Sequence, residues 1–503
     1  MIVLALLLAA PVEDLQARLR HLESAGAAWA PAPSPDGQRV AFLTTLFGNP
    51  QAASVAVRGS YPVQLTDEPS GAAEVRYLAP EAKQLVVAAV RDGHRRLLLL
   101  DEEGSAPEPI DPAPGDQLLG GFSRDGKTIF YAGQGGEKVS LCTYSLETKK
   151  TSEVKPPPPA AGHPPAAGTV ALDEALAGLF ELGPPSPDGR TILALVRRSG
   201  SEELVLADLS SGRALVLAGP EKAARFRQPR FSPDGRTVYV LTDAGRSRLG
   251  VDAITVQGKA RKTVYAPPQE VDAFALSDDG HRLAVALESN GQDVFSLLDF
   301  PTLRAQPLAA PPSGALAQGA MRWDRSGERL FFGWRLADDT TDVWELRVGR
   351  GTALRVTRSP RPGLGHDVIP RPALVRVEGA AAWLWRPAQP ARPRVAVLIG
   401  REPTRPVFDK RIAALNFAGL AVLAVNGKGA EKAALTWLAA SPDLDRRDPL
   451  LLNPDGLAVE DRESWAGLVT GPGQPGGGLE LDPDRPDLGA LVRYARGGGR
   501  AGR

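Results

Sequence analysis

Short apolar stretches alternate with turn clusters along the first three quarters of the chain. Arg236-Thr-Val-Tyr-Val-Leu241 and Arg282-Leu-Ala-Val-Ala286 are typical: brief, rich in β-branched or aliphatic residues, and bounded by Gly, Asp and Pro. Such runs predict strands rather than helices. Each follows a turn tetrapeptide. The copies are Ser34-Pro-Asp-Gly37, Ser123-Arg-Asp-Gly126, Ser186-Pro-Asp-Gly189, Ser232-Pro-Asp-Gly235 and Ser277-Asp-Asp-Gly280, with an altered Asp324-Arg-Ser-Gly327 and a degraded Ala79-Pro-Glu-Ala82. Proline presets φ at the second position, aspartate bonds back to the backbone, and glycine takes the place that disfavours a side chain. Phe122, Phe231, Phe274 and Trp323 lie just upstream, so the unit reads strand, tight hairpin, strand. A second pair completes it, as in Glu203-Leu-Val-Leu-Ala-Asp-Leu209, Ser210-Ser-Gly212 and Ala214-Leu-Val-Leu217.

The copies start at 34, 79, 123, 186, 232, 277 and 324, in steps of 45, 44, 63, 46, 45 and 47. A period near 45 with four strands per unit is the signature of propeller blades. The prediction is a mainly β protein, with a seven-bladed β-propeller over 29–372. The long step holds prolines 156–159 and 164–165, an insertion expected as an extended surface loop.

The period changes after the last copy. Ala382-Trp-Leu-Trp-Arg-Pro387 and Arg394-Val-Ala-Val-Leu-Ile399 read as strands, 411–417 as a helix, Leu420-Ala-Val-Leu-Ala-Val-Asn426 as a strand and 431–439 as a helix. This order predicts a shortened three-layer α/β domain over 373–490, followed by a disordered tail at 491–503. At the other end, residues 1–10 (Met-Ile-Val-Leu-Ala-Leu-Leu-Leu-Ala-Ala) are too few for a bilayer span, which needs about 20, so no stable membrane span is expected. They match the apolar part of a signal peptide, although no Lys or Arg precedes them. The implied location is periplasmic or secreted, with the cytoplasm as the alternative. Residues 11–28 form a helical segment with Leu15, Leu19 and Leu22 at helical spacing, suited to packing on a neighbouring domain.

Composition narrows the function classes. Lys+Arg and Asp+Glu are both 59, which leaves no broad positive field for a nucleic acid. Cys142 is the only cysteine, so no intramolecular disulfide forms. No His/Cys cluster has metal spacing, and no metal or other cofactor is expected. Asp482-Pro-Asp-Arg-Pro-Asp487 lacks the glycine and glutamate of an EF-hand loop and reads as a solvated acidic turn. Asp338, Asp339 and Asp342 fall in a blade hairpin and are expected to face water.

Ser34-Pro-Asp-Gly-Gln-Arg-Val-Ala-Phe42, then Gly48-Asn-Pro-Gln51 and Val63-Gln-Leu-Thr66, resembles the propeller repeat of TolB-type periplasmic proteins and of prolyl oligopeptidase-type serine peptidases. The resemblance covers about two thirds of the chain. Asn426-Gly-Lys-Gly429 is similar to the Asn-x-Arg-Gly segment of the oligopeptidases, which implies that the second domain is an α/β-hydrolase domain.

The same resemblance implies an active site that this chain departs from. Where the family has His-Gly-Gly-Pro, the sequence reads Gly400-Arg-Glu-Pro403, and a glutamate there would repel an oxyanion. The nucleophile belongs in Gly-x-Ser-x-Gly, which is absent. Aligned on the strand Leu450-Leu-Leu, Asn453 takes the first glycine, Asp455 the serine and Leu457 the second glycine. The five histidines are His21, His94, His163, His281 and His366, so none lies in the hydrolase-like segment to serve as base. His366 reads as a surface histidine between the domains. The leading expectation is therefore a pseudo-hydrolase: a non-catalytic protein that binds a protein or peptide partner through its propeller, with no catalytic residue and Asp455 merely at the nucleophile-like position. The second is a serine peptidase or esterase with an atypical active site, its base drawn from the propeller or a partner chain. His281 or His366 would then approach Ser441, Ser464 or Asp455. The third is a TolB-like cell-envelope scaffold.

Overall fold

The computed structural model describes residues 12–496 apart from short stretches, the longest being 156–168 and 472–478; others include 365–368, 401–404, 460–463 and 483–485. The signal-like run and the proline insertion lie outside the described residues. No described helix is long and apolar enough to cross a membrane.

Seven antiparallel sheets carry the repeat. In blade 1 the strands run Ala28–Pro33, Arg39–Thr44, Gln51–Ala56 and Val63–Gln64, each paired with the next. The tetrapeptide closes the first hairpin with more than aspartate. In blade 5, Ser232 Oγ donates to Asp234 Oδ1 at 2.5 Å and accepts from Thr237 N at 3.0 Å, while Arg236 N donates to Asp234 Oδ1 at 3.0 Å. Gly235 sits at φ 69°, where a side chain is disfavoured. The serine bond, backed by a backbone N–H, holds Asp125, Asp188, Asp234 and Asp279 below the usual carboxylate range. The altered copy swaps roles: Asp324 receives Arg329 N at 3.1 Å and the Ser326 hydroxyl at 2.7 Å.

The inner strand of six blades carries a bulge against its neighbour, at Trp29/Ala32, Ala72/Glu74, Leu119/Gly121, Leu179/Glu181, Arg227/Arg230 and Val271/Ala273. A bulge re-aims side chains, here along the channel at the ring axis. Blade 1 and blade 7 meet without sharing a strand. Val40, Phe42, Phe331 and Val343 pack across that seam, and Ala28 N donates to Thr341 O at 2.9 Å.

The blade 7 hairpin corrects one expectation. Asp339 and Asp342 are 1% and 0% exposed, and Asp338 is also buried. The linker to the second domain covers them. Arg355 ion-pairs with both Asp339 and Asp342, Ser359 Oγ donates to Asp342 at 2.9 Å, and Arg371 reaches Asp338 at 2.6 Å. Burial pushes Asp342 up even though Arg355 opposes it. Buried carboxylates persist only when paired in this way.

The second domain has one sheet, built from β1 (Ala373–Val377), β2 (Ala380–Trp385), β3 (Arg394–Gly400), β4 (Leu420–Asn426), β5 (Asp445–Asn453), β6 (Gly467–Thr470) and β7 (Leu479–Glu480). Their order is β1-β2-β4-β3-β5-β6-β7, parallel from β4 onward. The strands are apolar on both faces because helices cover both. With α1 as Val12–Glu23, α2 as Lys410–Phe417, α3 as Ala430–Ala439 and α4 as Leu488–Arg496, α3 packs Ala434 and Leu438 on one face. Ile412 and Leu415 of α2 and Leu491 and Tyr494 of α4 cover the other. Asp409 caps α2, its carboxylate accepting from Arg411 N at 2.7 Å. The disordered tail expected from 491 is instead helix to Arg496, because Leu488, Leu491, Val492 and Ala495 line one buried stripe. Leu19 and Leu22 of α1 join Ala413, Ala414 and Val492 in a core that ties the chain's beginning to this domain. Lys410 Nζ adds bonds to Glu23 O at 3.0 Å and Ala25 O at 2.9 Å.

Candidate functional site

A cavity of about 670 Å³ occupies the propeller axis and opens on the second domain. Arg405, in the segment between β3 and α2, reaches down into it. Its guanidinium pairs with Asp293 Oδ1 at 2.7 Å and with Asp272. Asp272 is the second residue of the inner strand of blade 6 (Val271–Leu276), and Asp293 the second of its third strand (Gln292–Asp299). These ends of the strands therefore face the second domain, and the Ser-Pro-Asp-Gly turns lie at the opposite face. Burial, helped by the neighbouring Asp272 charge and opposed by Arg405, pushes Asp293 up to about 6. Against its own burial, the two carboxylates hold Arg405 above the usual arginine value.

Further along the axis lie Glu74, Arg76, Glu181, Arg230 and Arg322. Burial, then repulsion from Arg76, lowers Arg230 to about 10. Burial, then Arg76 and Arg230, lowers Arg322 to about 9. Burial raises Glu181, with Arg230 opposing. The sequence reading missed this cluster. Aligning the repeats reveals its signal: Arg230 and Arg322 stand two residues before their turn tetrapeptides, and Arg76 three before its own.

The carboxyl ends of parallel strands are where open α/β sheets place ligands. Asp455 is at such an end, in the turn after β5. Asn453 ties this turn, donating to Leu457 O at 2.8 Å and accepting from Leu457 N at 2.9 Å. Gly456, not Asp455, has the positive φ, of 60°, and 456–459 are not helical. A nucleophile elbow places its nucleophile on a sharp strand-to-helix turn. Asp455 therefore has the position but not the local form. Asp482, following β7, stands at the same edge of the sheet.

The other named candidates separate. Ser441 follows α3, where its Oγ donates to Trp437 O at 2.9 Å, and Ser464 precedes β6. Both are at the amino edge of the sheet, away from Asp455. His281 is in the blade 6 turn on the propeller face remote from the second domain. It cannot act as base there. His366 and His163 lie outside the described residues, as do Arg401, Glu402 and Pro403 of the oxyanion-like segment. His21 is on α1, against Gly363 of the linker. The remaining histidine, His94, begins the third strand of blade 2 and so stands on the cleft-facing side, its Nδ1 3.5 Å from Asp116 Oδ1. Nothing in the linear sequence marks this pair, because Asp116 belongs to the next blade.

No family model matches the chain, and no curated protein matches it. Solved structures do. A puromycin-hydrolysing peptidase of Mycobacterium tuberculosis is similar over 90% of this chain and 78% of its own, at 16% identity and a TM-score of 0.71. A structure from a study of two prolyl endopeptidases is similar over 92% of this chain and 74% of its own, at 12% identity and a TM-score of 0.70. A puromycin hydrolase S511A mutant complexed with PGG gives 16% identity and a TM-score of 0.70 over the same shares as the first. The structural neighbours are thus prolyl oligopeptidase-type peptidases with seven-bladed propellers, and the mainly β fold with that propeller holds. The neighbours are peptidases, which goes against the expectation of a non-catalytic binding protein and fits the alternative of a peptidase or esterase with an atypical active site better.

Proposed function

We propose that the protein is a peptidase or esterase of the prolyl oligopeptidase type with an atypical active site. The observation that carries this reading is the cavity in the propeller channel, into which Arg405 of the second domain reaches, in an architecture shared with peptidases over nine tenths of the chain. In such an arrangement the ring restricts entry to short or extended substrates, and water is partly excluded where the chain is cut.

The described part of the second domain contains no histidine. Among the described histidines only His94 stands on the cleft-facing side of the propeller, so the base in this reading is His94, His366 or a group from a partner chain. Asp116 beside Nδ1 would favour the tautomer that leaves Nε2 free to take a proton from the nucleophile, as in a Ser-His-Asp triad. The test combines a fluorophosphonate probe with a panel of aminoacyl and peptidyl naphthylamides. Labelling at one residue, with turnover lost in His94→Ala, supports the reading. Absence of both labelling and turnover across the panel sinks it.

A further inference from the structure

We propose that Arg76, Arg230 and Arg322 form an anion site in the propeller channel that takes the free C-terminal carboxylate of a short peptide. The three come from the inner strands of blades 2, 5 and 7 and line one cavity. Each guanidinium carries five N–H donors and no acceptor. Their acceptors are few. Arg76 pairs with Glu74, but its Nε is buried without a partner. Arg230 donates to the adjacent Pro229 O at 2.9 Å. The Arg322 guanidinium has no hydrogen bond or ion pair among the described residues, although its backbone pairs with Phe331.

The charge balance points the same way. Three cations face Glu74 and Glu181, and burial favours the neutral form of Glu181. The unbalanced positive charge lines one cavity, and the arginines weaken one another's hold on their protons. An anion relieves all three. A carboxylate suits a guanidinium fork, since its two oxygens accept in parallel.

Position selects a chain end. Arg230 and Arg322 align by repeat with Ala275, three residues along the blade 6 strand from Asp272. That is about 10 Å deeper in the channel than Arg405. A peptide anchored there by its carboxylate would run out along the axis toward the second domain, whereas a side-chain carboxylate would require a chain to thread the ring. The peptide part of this proposal rests on the peptidase reading; binding is measured without turnover, so its failure and the failure of that reading are told apart.

The experiment is calorimetry of the full chain with penta-alanine, its C-terminal amide and inorganic phosphate. The expected result is an acid form bound at least about ten-fold tighter than the amide, the size of one charge-assisted hydrogen bond. Phosphate should compete with it. Arg322→Gln should abolish the preference, and Arg322→Lys, which keeps the charge, should retain part of it. Equal binding of acid and amide, or an acid preference that survives in Arg322→Gln, overturns the proposal; so does phosphate binding that leaves the peptide in place.

Discussion

Arg405 of the second domain and Asp293 of blade 6 are joined across the cavity by a 2.7 Å ion pair, although the two residues lie 112 positions apart. Asp272 shares the same guanidinium, and Arg335 lies close by with its own charge disfavoured by burial. The contact fixes one wall of the cavity to the other.

Asp293 makes that contact sensitive to pH. Burial lifts its carboxyl to about 6, above the ordinary value near 4. The folded state thus holds an extra proton between roughly pH 4 and 6. This group's contribution to stability is fully present below the unfolded value and is lost as pH rises through 6. Asp293→Asn should remove that dependence. Its thermal midpoint should match wild type at pH 4 and equal or exceed it at pH 7.5. A midpoint clearly lower than wild type at pH 7.5 would show that the charge on Asp293 is needed for the pairing.

The repeat turn is held as much by serine as by aspartate. Ser232→Ala deletes the bonds to Asp234 and Thr237 N in a buried position. A loss of about 1–2 kcal/mol is expected in urea denaturation.

Gly126 is a stricter constraint. Its φ is 72°, and a Cβ there would lie 1.6 Å from Ala79 O in the turn of the preceding blade. Gly126→Ala should cost more than about 2 kcal/mol by the same measurement. Gly93, also left-handed but with open space around it, should tolerate alanine better.

Cys142 is buried, and burial pushes its thiol up to about 11. Little thiolate forms at neutral pH, so a disulfide reagent should react with the native protein far more slowly than with the denatured chain.

The propeller was legible because its turn chemistry is local: Ser, Asp and Gly within four residues mark six of the seven hairpins, the swapped Asp324-Arg-Ser-Gly327 included. The strands 394–400 and 420–426 were legible because two covered faces demand unbroken apolar runs. The burial of Asp339 and Asp342 was not, since it depends on Arg355 and on a linker that folds back over them. The axial arginines are scattered from 76 to 322 and meet only when inner strands stand side by side. The stripe of α4 was hidden by the glycine-rich residues that follow it. His94 gains meaning only from Asp116, one blade away.

The seam between blades 1 and 7 sets the order in which the chain can finish folding. Gly37 O waits for Arg329 Nη2, which reaches it at 2.8 Å from 292 residues later. At a synthesis rate of about 5–20 residues per second, blade 1 spends roughly 15–60 s with its outer face uncovered. Contacts this distant in sequence form slowly even in the complete chain. The first blade made is the last to acquire both neighbours, and α1 before it waits longer still, for the helix that begins at Leu488.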